Sequence, residues 1–166
     1  MKQRALVLGL SMALLAAPVA EADACGESLM RLGQGLRYQV YQAKHPATVL
    51  VYVGPNAPVI QADALETFVA SLRRAGHRVT VADGDTALTP ALQQQSFDVV
   101  LTAAGDADAV SARAGDTGGH PVVVPVVGQR SDAGSLRTRY AHVLHTGDSF
   151  GRYLRVLNQV MASRTG

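Results

Sequence analysis

The acids and the histidine best placed to do chemistry are Asp106, Asp108 and His145. The two aspartates follow the apolar run 97–103, and a pair of carboxylates there could transfer protons or bind a metal ion. His145 follows a later apolar run, and together with Asp106 it could serve a small hydrolase. Each residue also has a structural interpretation: Asp106 as a helix N-cap, Asp108 as a first-turn charge, and His145 as a partner for backbone groups. The sequence favours the structural interpretations.

Motifs that define common reactions and cofactors are not found in the sequence. No G-x-S-x-G elbow occurs, and neither a Walker loop nor G-x-G-x-x-G follows the first predicted strand. His142 and His145 are three residues apart in a predicted strand, so they would point to opposite faces and would not share a metal ion. Asp83 and Asp85 flank Gly84 and are explained by a turn. We therefore expect no catalytic residue, no metal and no cofactor.

A sheet must position these residues, and the sequence predicts one. Short valine-rich runs are typical of buried parallel strands, and the segments between them show helical spacing. The predicted strands are 48–53, 78–82, 97–102, 121–127 and 140–145. The predicted helices are 65–72 before Gly76, 89–95 opened by Thr89 and Pro90, 106–114 before Gly115, 136–139 and 150–161. This alternation predicts an α/β domain, a doubly wound three-layer sandwich around a five-stranded parallel sheet.

The candidate cleft lies where the strands end, because ligands of such sheets bind at the carboxyl ends of the strands. The residues expected there are Gly54, Asn56, Thr102, Ala103, Asp106, Gly128 and His145. Most of these side chains are chemically mild. The cleft therefore favours ligand binding over catalysis.

The first segment has the layout of a secretory signal peptide. Lys2 and Arg4 precede the uncharged apolar run 5–20, and two overlapping A-x-A patterns would start the mature chain at Asp23 or Cys25. We therefore expect export to a bacterial periplasm. The expected organisation is a signal peptide at 1–24, an N-terminal extension with a candidate edge strand at 25–46, and the α/β domain at 47–166.

Cys25 is the only cysteine, so the chain cannot form an internal disulfide. Since it lies at one of the two cleavage points, it could carry a lipid anchor as the first residue of a lipoprotein. Ala22 and Asp23 depart from the pattern expected before a lipid-bearing cysteine. A free thiol and a small buried side chain therefore stay open as alternatives.

Composition excludes some classes of partner. The formal net charge is +2, the arginines are scattered along the chain, and aromatic residues make up 5%. Neither a stripe for nucleic acid nor a polybasic patch for a membrane is visible. We expect no nucleic-acid partner and no transmembrane span.

The order and spacing of elements over about 47–163, with Phe97-Asp98-Val99-Val100-Leu101 in the middle strand, resemble the receiver domain of response regulators. Other flavodoxin-like proteins would look similar at this level. The resemblance implies the strand order 2-1-3-4-5. It also implies that proteins associate through the face built by 136–157.

The residues that receivers use for phosphorylation are replaced in this sequence. The acidic pair that would follow the first strand is Val53 and Gly54, and Ala103 stands where the resemblance would put the phosphate-accepting aspartate. Valines 126 and 127 replace the hydroxyl residue that ends the fourth strand, and His145 with Thr146 replaces the lysine after the fifth. The chain is therefore expected to be a degenerate receiver that is not phosphorylated.

Taken together, these features predict a periplasmic, non-catalytic receiver-like module that binds either an unknown protein partner or a small ligand. The alternative is a solute-binding or transport-accessory protein with its pocket at the candidate cleft. A small hydrolase that uses Asp106 and His145 is a third and less favoured interpretation.

Overall fold

The computed structural model describes residues 42–55, 62–128 and 133–165, and within them five strands alternate with five helices. The strands are β1 (Thr48–Val53), β2 (Arg78–Asp83), β3 (Val99–Ala103), β4 (Val122–Val127) and β5 (Leu144–His145). The helices are α1 (Ala62–Arg74), α2 (Asp85–Gln94), α3 (Ala107–Asp116), α4 (Ala133–Leu136) and α5 (Phe150–Thr165), and a 3₁₀ turn, Ala104–Asp106, precedes α3.

The five strands form one parallel sheet in the order β2-β1-β3-β4-β5. The predicted α/β fold and its flavodoxin-like strand order are confirmed. All five residues of β3 are buried, and so are the first five of β1. Such strands need apolar, β-branched side chains on both faces, which explains their runs of valine.

Helices cover both faces of the sheet and make three layers. Val49 and Val51 of β1 pack with residues of α1 and α5 on one face. Leu50 and Tyr52 point the other way, because successive side chains of a strand alternate, and they pack with α2 and α3. A smaller cluster joins α4 to the end of β4 through Leu136 and Val127.

Polar groups fasten the amino-terminal edge of the sheet. The backbone N–H of Thr48 donates to Asp98 Oδ2 at 2.8 Å, and Arg164 donates to the carbonyls of Asp98 and His120. His77, 3% exposed, accepts a hydrogen bond on Nδ1 from the N–H of Ala47 at 3.1 Å. Its Nε2 is buried and has no hydrogen-bond partner among the described residues.

Several predicted element boundaries are wrong. The fifth strand, predicted at 140–145, is only Leu144–His145, because only these two residues pair with β4. α2 begins at Asp85, directly after Gly84 with φ 72°, and contains Pro90, which stays exposed and costs the helix one backbone hydrogen bond. α3 passes Gly115 and the chain reverses at Gly118, with φ 73°.

The predicted helix stop at Gly76 agrees with the left-handed backbone of this residue, whose φ is 103°.

None of the helices in the described ranges is long and apolar enough to span a bilayer. Residues 1–41 lie outside the described part. The expected signal peptide at 1–24, the lipid on Cys25 and the edge strand of the N-terminal extension concern those residues. Those expectations, and the domain boundaries drawn from them, stay predictions.

Candidate functional site

The end of β3 is closed to ligands. Thr102 is 0% exposed and Ala103 is 3% exposed, and their partners in the sheet are Pro125 and Val126 of β4. Thr102 Oγ1 lies 3.4 Å from the carbonyl oxygen of Ala103, a long contact within its own strand. These two residues of the candidate cleft belong to the core of the sheet.

The protein's own side chains occupy the space beside Gly54. A methyl group built on Gly54 would lie 2.7 Å from Asp106 Cγ and 2.7 Å from Tyr52 Cε1, distances that real atoms of this kind do not adopt. Asp106 is 5% exposed in the 3₁₀ turn before α3. It stands at the N-cap position of α3, but its side chain makes no capping hydrogen bond, so the predicted capping role is wrong. The carboxylate is directed at Gly54 instead.

Asp106 and Asp108 do not form the carboxylate pair considered from the sequence. Asp108 is exposed and accepts hydrogen bonds from Arg139 Nη1 and from the Tyr140 hydroxyl, both at 2.6 Å. These hydrogen bonds, Tyr140 first, hold the pKa of the Asp108 carboxyl below its ordinary value. Asp108 therefore ties α3 to the segment after α4 and stays ionised.

A second polar network lies between β1, α2 and α3. The Tyr52 hydroxyl donates to Asp85 Oδ1 at 2.6 Å, and Arg113 Nη1 donates to the same oxygen at 2.5 Å. Burial, followed by the hydrogen bond to Asp85, raises the pKa of Tyr52 to about 12. The hydrogen bonds from Arg113 and Tyr52 keep the pKa of Asp85 low. At neutral pH the phenol keeps its proton and the carboxylate stays charged, so the network holds elements together and is not poised to transfer protons.

His145 ends β5 as predicted, and its polar atoms are engaged locally. Its Nδ1 accepts from the N–H of Gly147 at 3.0 Å, and its own N–H donates to Asp148 Oδ2 at 3.0 Å. Its carbonyl oxygen accepts from the Tyr153 hydroxyl at 3.1 Å. Gly128, directly after β4, is exposed, and no described atom lies within 4 Å of a methyl group built on it.

His142 lies outside β5, so the argument that His142 and His145 occupy opposite faces of one strand does not apply. Across the described ranges, no group of three or more histidine, cysteine, aspartate and glutamate side chains is arranged to hold a metal ion. Asn56 falls between the described ranges. The sequence-predicted cleft residues thus divide between the core, the surface and the neighbourhood of β5.

An open groove of the described part lies beside β5, and we name it the β5–α5 groove. It has two lobes of about 450 Å³ and about 510 Å³, which share Arg137, Val143 and Arg152. The lining of the first lobe also includes His142 and Arg155. The second lobe reaches the end of β4 and contains His145 and Asp148, as its lining shows: Val127, Ala133, Arg137, Val143, Leu144, His145, Asp148 and Arg152.

The arginines of this groove were missed by reasoning from the sequence. Arg137 follows α4, whereas Arg152 and Arg155 lie on α5, so the prediction that arginines are scattered is wrong for this face. A count over the range 133–165 would have signalled it, because that range contains five arginines and one aspartate. Only the fold places the segment after α4 next to α5.

Comparisons with known proteins do not identify a family for this chain. No protein-family model matches the chain, and a comparison with curated proteins finds no match. Among solved structures, the chain is similar to a pilus assembly protein, CpaE, from Caulobacter crescentus, with 18% sequence identity and a TM-score of 0.47. The similarity covers 74% of this chain and 97% of that one. It concerns the course of the backbone and says nothing about function.

Proposed function

We propose that this protein is an exported, non-catalytic receiver-like module that acts by binding a protein partner through the β5–α5 groove. One observation carries the proposal. The edge of the sheet at which chemistry would occur is filled by Thr102, Ala103 and Asp106, whereas the groove beside β5 is open and lined by arginines. A surface that binds a partner must be exposed, which is true of the groove and not of the filled edge of the sheet.

The polar groups near the carboxyl ends of the strands support a non-catalytic role. A general base works best when its pKa lies near the working pH. The Asp85 and Asp108 carboxyls have lowered pKa values, and the pKa of the Tyr52 hydroxyl is about 12. Each of these three groups is held in one protonation state at neutral pH.

The geometry gives less support to the two other interpretations. A solute pocket at the candidate cleft would need Thr102 and Ala103 to be accessible, and both are buried. A hydrolase would need Asp106 and His145 to face each other across an open pocket. Asp106 is buried against Gly54, and His145 accepts a hydrogen bond from a neighbouring backbone N–H on Nδ1.

Export belongs to the proposal and rests on the first segment of the sequence. Its two early cations, the apolar run 5–20 and the A-x-A patterns are the features that a signal peptidase reads. A lipid on Cys25 would anchor the module at a membrane surface.

Photocrosslinking in cells tests the binding surface. A photoreactive residue at Gln159, an exposed position lining the groove, should yield an adduct of discrete mass. The matched control is Gln93, which is exposed on α2 at the opposite face of the sheet and should yield none. Ala141→Trp, at an exposed position that also lines the groove, should abolish the adduct by filling the space. Equal adducts from both positions, or none from Gln159, would refute the proposal.

A further inference from the structure

We infer that the β5–α5 groove recognises an acidic segment of its protein partner, through carboxylates that pair with Arg137, Arg152 and Arg155. The inference rests on the proposed function and adds the chemistry of the partner to it. It follows from the distribution of charge, from the contacts of each arginine, and from the way the edge of β5 is sealed.

The part of the described chain that contributes most of the groove is rich in positive charge. The range 133–165 carries five arginines and one aspartate, a net charge of +4, in a chain whose total is +2. The helix α5 carries three arginines and no acidic residue. By contrast, Asp85 of α2 pairs with Arg113, and Asp108 of α3 pairs with Arg139. A surface of this kind attracts negatively charged partners and repels positive ones.

The arginines of the groove are available to a ligand. Within the described ranges, the guanidinium groups of Arg137 and Arg155 make no hydrogen bond or ion pair, and both residues are exposed. Arg152 Nε lies 3.5 Å from Asp148 Oδ2, whereas Arg139 and its aspartate partner lie 2.6 Å apart. Arg139 is therefore already neutralised, and the groove arginines are largely not. A free guanidinium presents a fork of donors that fits a carboxylate in two parallel hydrogen bonds.

The floor of the groove favours a peptide over an inorganic anion. Val143 and Val156, which are 9% and 6% exposed, line the first lobe together with its arginines. Each lobe has the volume of a pocket for an organic ligand of drug size, far larger than one phosphate ion would fill. Guanidinium groups above an apolar floor suit a chain that alternates acidic and aliphatic side chains.

The partner is read by its side chains, because the edge of β5 is sealed at His145. The N–H of His145 is taken by Asp148, and its carbonyl oxygen is taken by the Tyr153 hydroxyl. A peptide that added a strand here would find these two backbone groups already engaged. Recognition through arginine and carboxylate pairs needs no free strand edge.

Peptide binding to the purified full chain tests the inference. The probe is a fluorescently labelled peptide of about ten residues that contains glutamates and interspersed leucines, and its binding is followed by fluorescence anisotropy at low salt. A peptide with lysine in place of every glutamate should not bind. Affinity for the acidic peptide should fall as salt is added, because exposed charges are screened.

Variants locate the site. Arg155→Gln should weaken acidic-peptide binding by about tenfold, and Arg137→Gln with Arg155→Gln by about a hundredfold, as expected for the loss of hydrogen bonds to charged groups. Arg74→Gln removes the same charge from an exposed position at the end of α1 and should change the affinity by less than about twofold. Equal losses in Arg155→Gln and Arg74→Gln would overturn the inference.

Two further results would overturn it. One is saturable binding of inorganic phosphate, or of phosphatidylglycerol vesicles, by a protein that ignores the acidic peptide. The other is peptide binding that the double arginine variant leaves unchanged. A crosslink from Gln159 without any acidic-peptide binding would remove this inference and leave the proposed function standing. Absence of the crosslink would remove the proposed function.

Discussion

Replacing Gly54 with alanine would put a methyl group into space that Asp106 and Tyr52 already fill. The new carbon would start 2.7 Å from Asp106 Cγ and 2.7 Å from Tyr52 Cε1. Neither neighbour can move away easily, because Asp106 is 5% exposed and Tyr52 is 2% exposed. The substitution therefore forces either the turn before α3 or the tyrosine ring out of its position.

The expected cost can be estimated from overpacking in other cores. Inserting a methyl group into a filled space destabilises by about 1–3 kcal/mol. Alanine also restricts the unfolded chain, which offsets about 0.4–1 kcal/mol of that cost. The middle values of these two ranges give a net loss of about 1.3 kcal/mol, and a melting temperature about 3–6 °C lower.

Urea unfolding followed by far-ultraviolet circular dichroism measures the change. The midpoint should fall while the slope stays unchanged, since the surface exposed on unfolding is the same. Gly128→Ala is the matched control, because no atom of the described residues lies within 4 Å of a methyl group at that position. It should be neutral or slightly stabilising.

A double-mutant cycle identifies the group responsible. Asp106→Ala removes the carboxylate that a methyl group at position 54 would strike, so Gly54→Ala should cost less in that background than in the wild type. A Gly54→Ala protein as stable as the wild type would show that the cleft has room. The reasoning that the protein fills its own cleft would then fail.

Three further predictions concern titration and processing. Burial lowers the pKa of His77 below 6.5, so the unfolded chain takes up its proton first and stability should fall as the pH drops below about 6.5. His77→Asn, which keeps an acceptor, should flatten the fall in urea midpoint between about pH 7.5 and about pH 5.5. The pKa of Tyr52 is raised from 10.0 to about 12, so stability should fall as the pH rises through that window, and Tyr52→Phe should make the alkaline fall in melting temperature shallower. Intact mass spectrometry of the expressed protein should show a chain that starts at Asp23 or Cys25. A chain that starts at Cys25 should carry added lipid mass if the cysteine is anchored. A chain that retains 1–24 would contradict export.

The sheet could be predicted because its strands are buried on both faces. A run such as Val99–Ala103 carries that signal in its own residues, with no reference to its neighbours. β5 could not be delimited in the same way. The run from Tyr140 to His145 is as apolar as a strand, but only its last two residues lie within reach of β4. The extent of pairing depends on tertiary structure, which local sequence does not record.

The sequence predicts which strands end side by side, but not whether a ligand can enter between their ends. The carboxyl end of β3 does meet that of β1, as the parallel sheet requires. Whether a ligand can enter depends on how Asp106 is turned, and a sequence pattern that suggests a helix cap cannot show that the carboxylate faces Gly54. The arginines of the groove come from two separate elements, so their convergence became visible only in the folded chain.

The shortness of β5 gives the two walls of the groove different rigidity. α5 is anchored by Tyr153, Leu154 and Leu157, all buried in the main core. The opposite wall pairs with the sheet at Leu144 and His145, and the N–H of Thr146 adds one hydrogen bond to the carbonyl oxygen of Val127. Elements with few backbone hydrogen bonds open locally at lower free energy than the core, and their amides exchange with solvent sooner. Binding of a partner would hold the weakly paired wall, which contains β5, against α5. Slower amide exchange over 137–147 would therefore show that the groove is occupied.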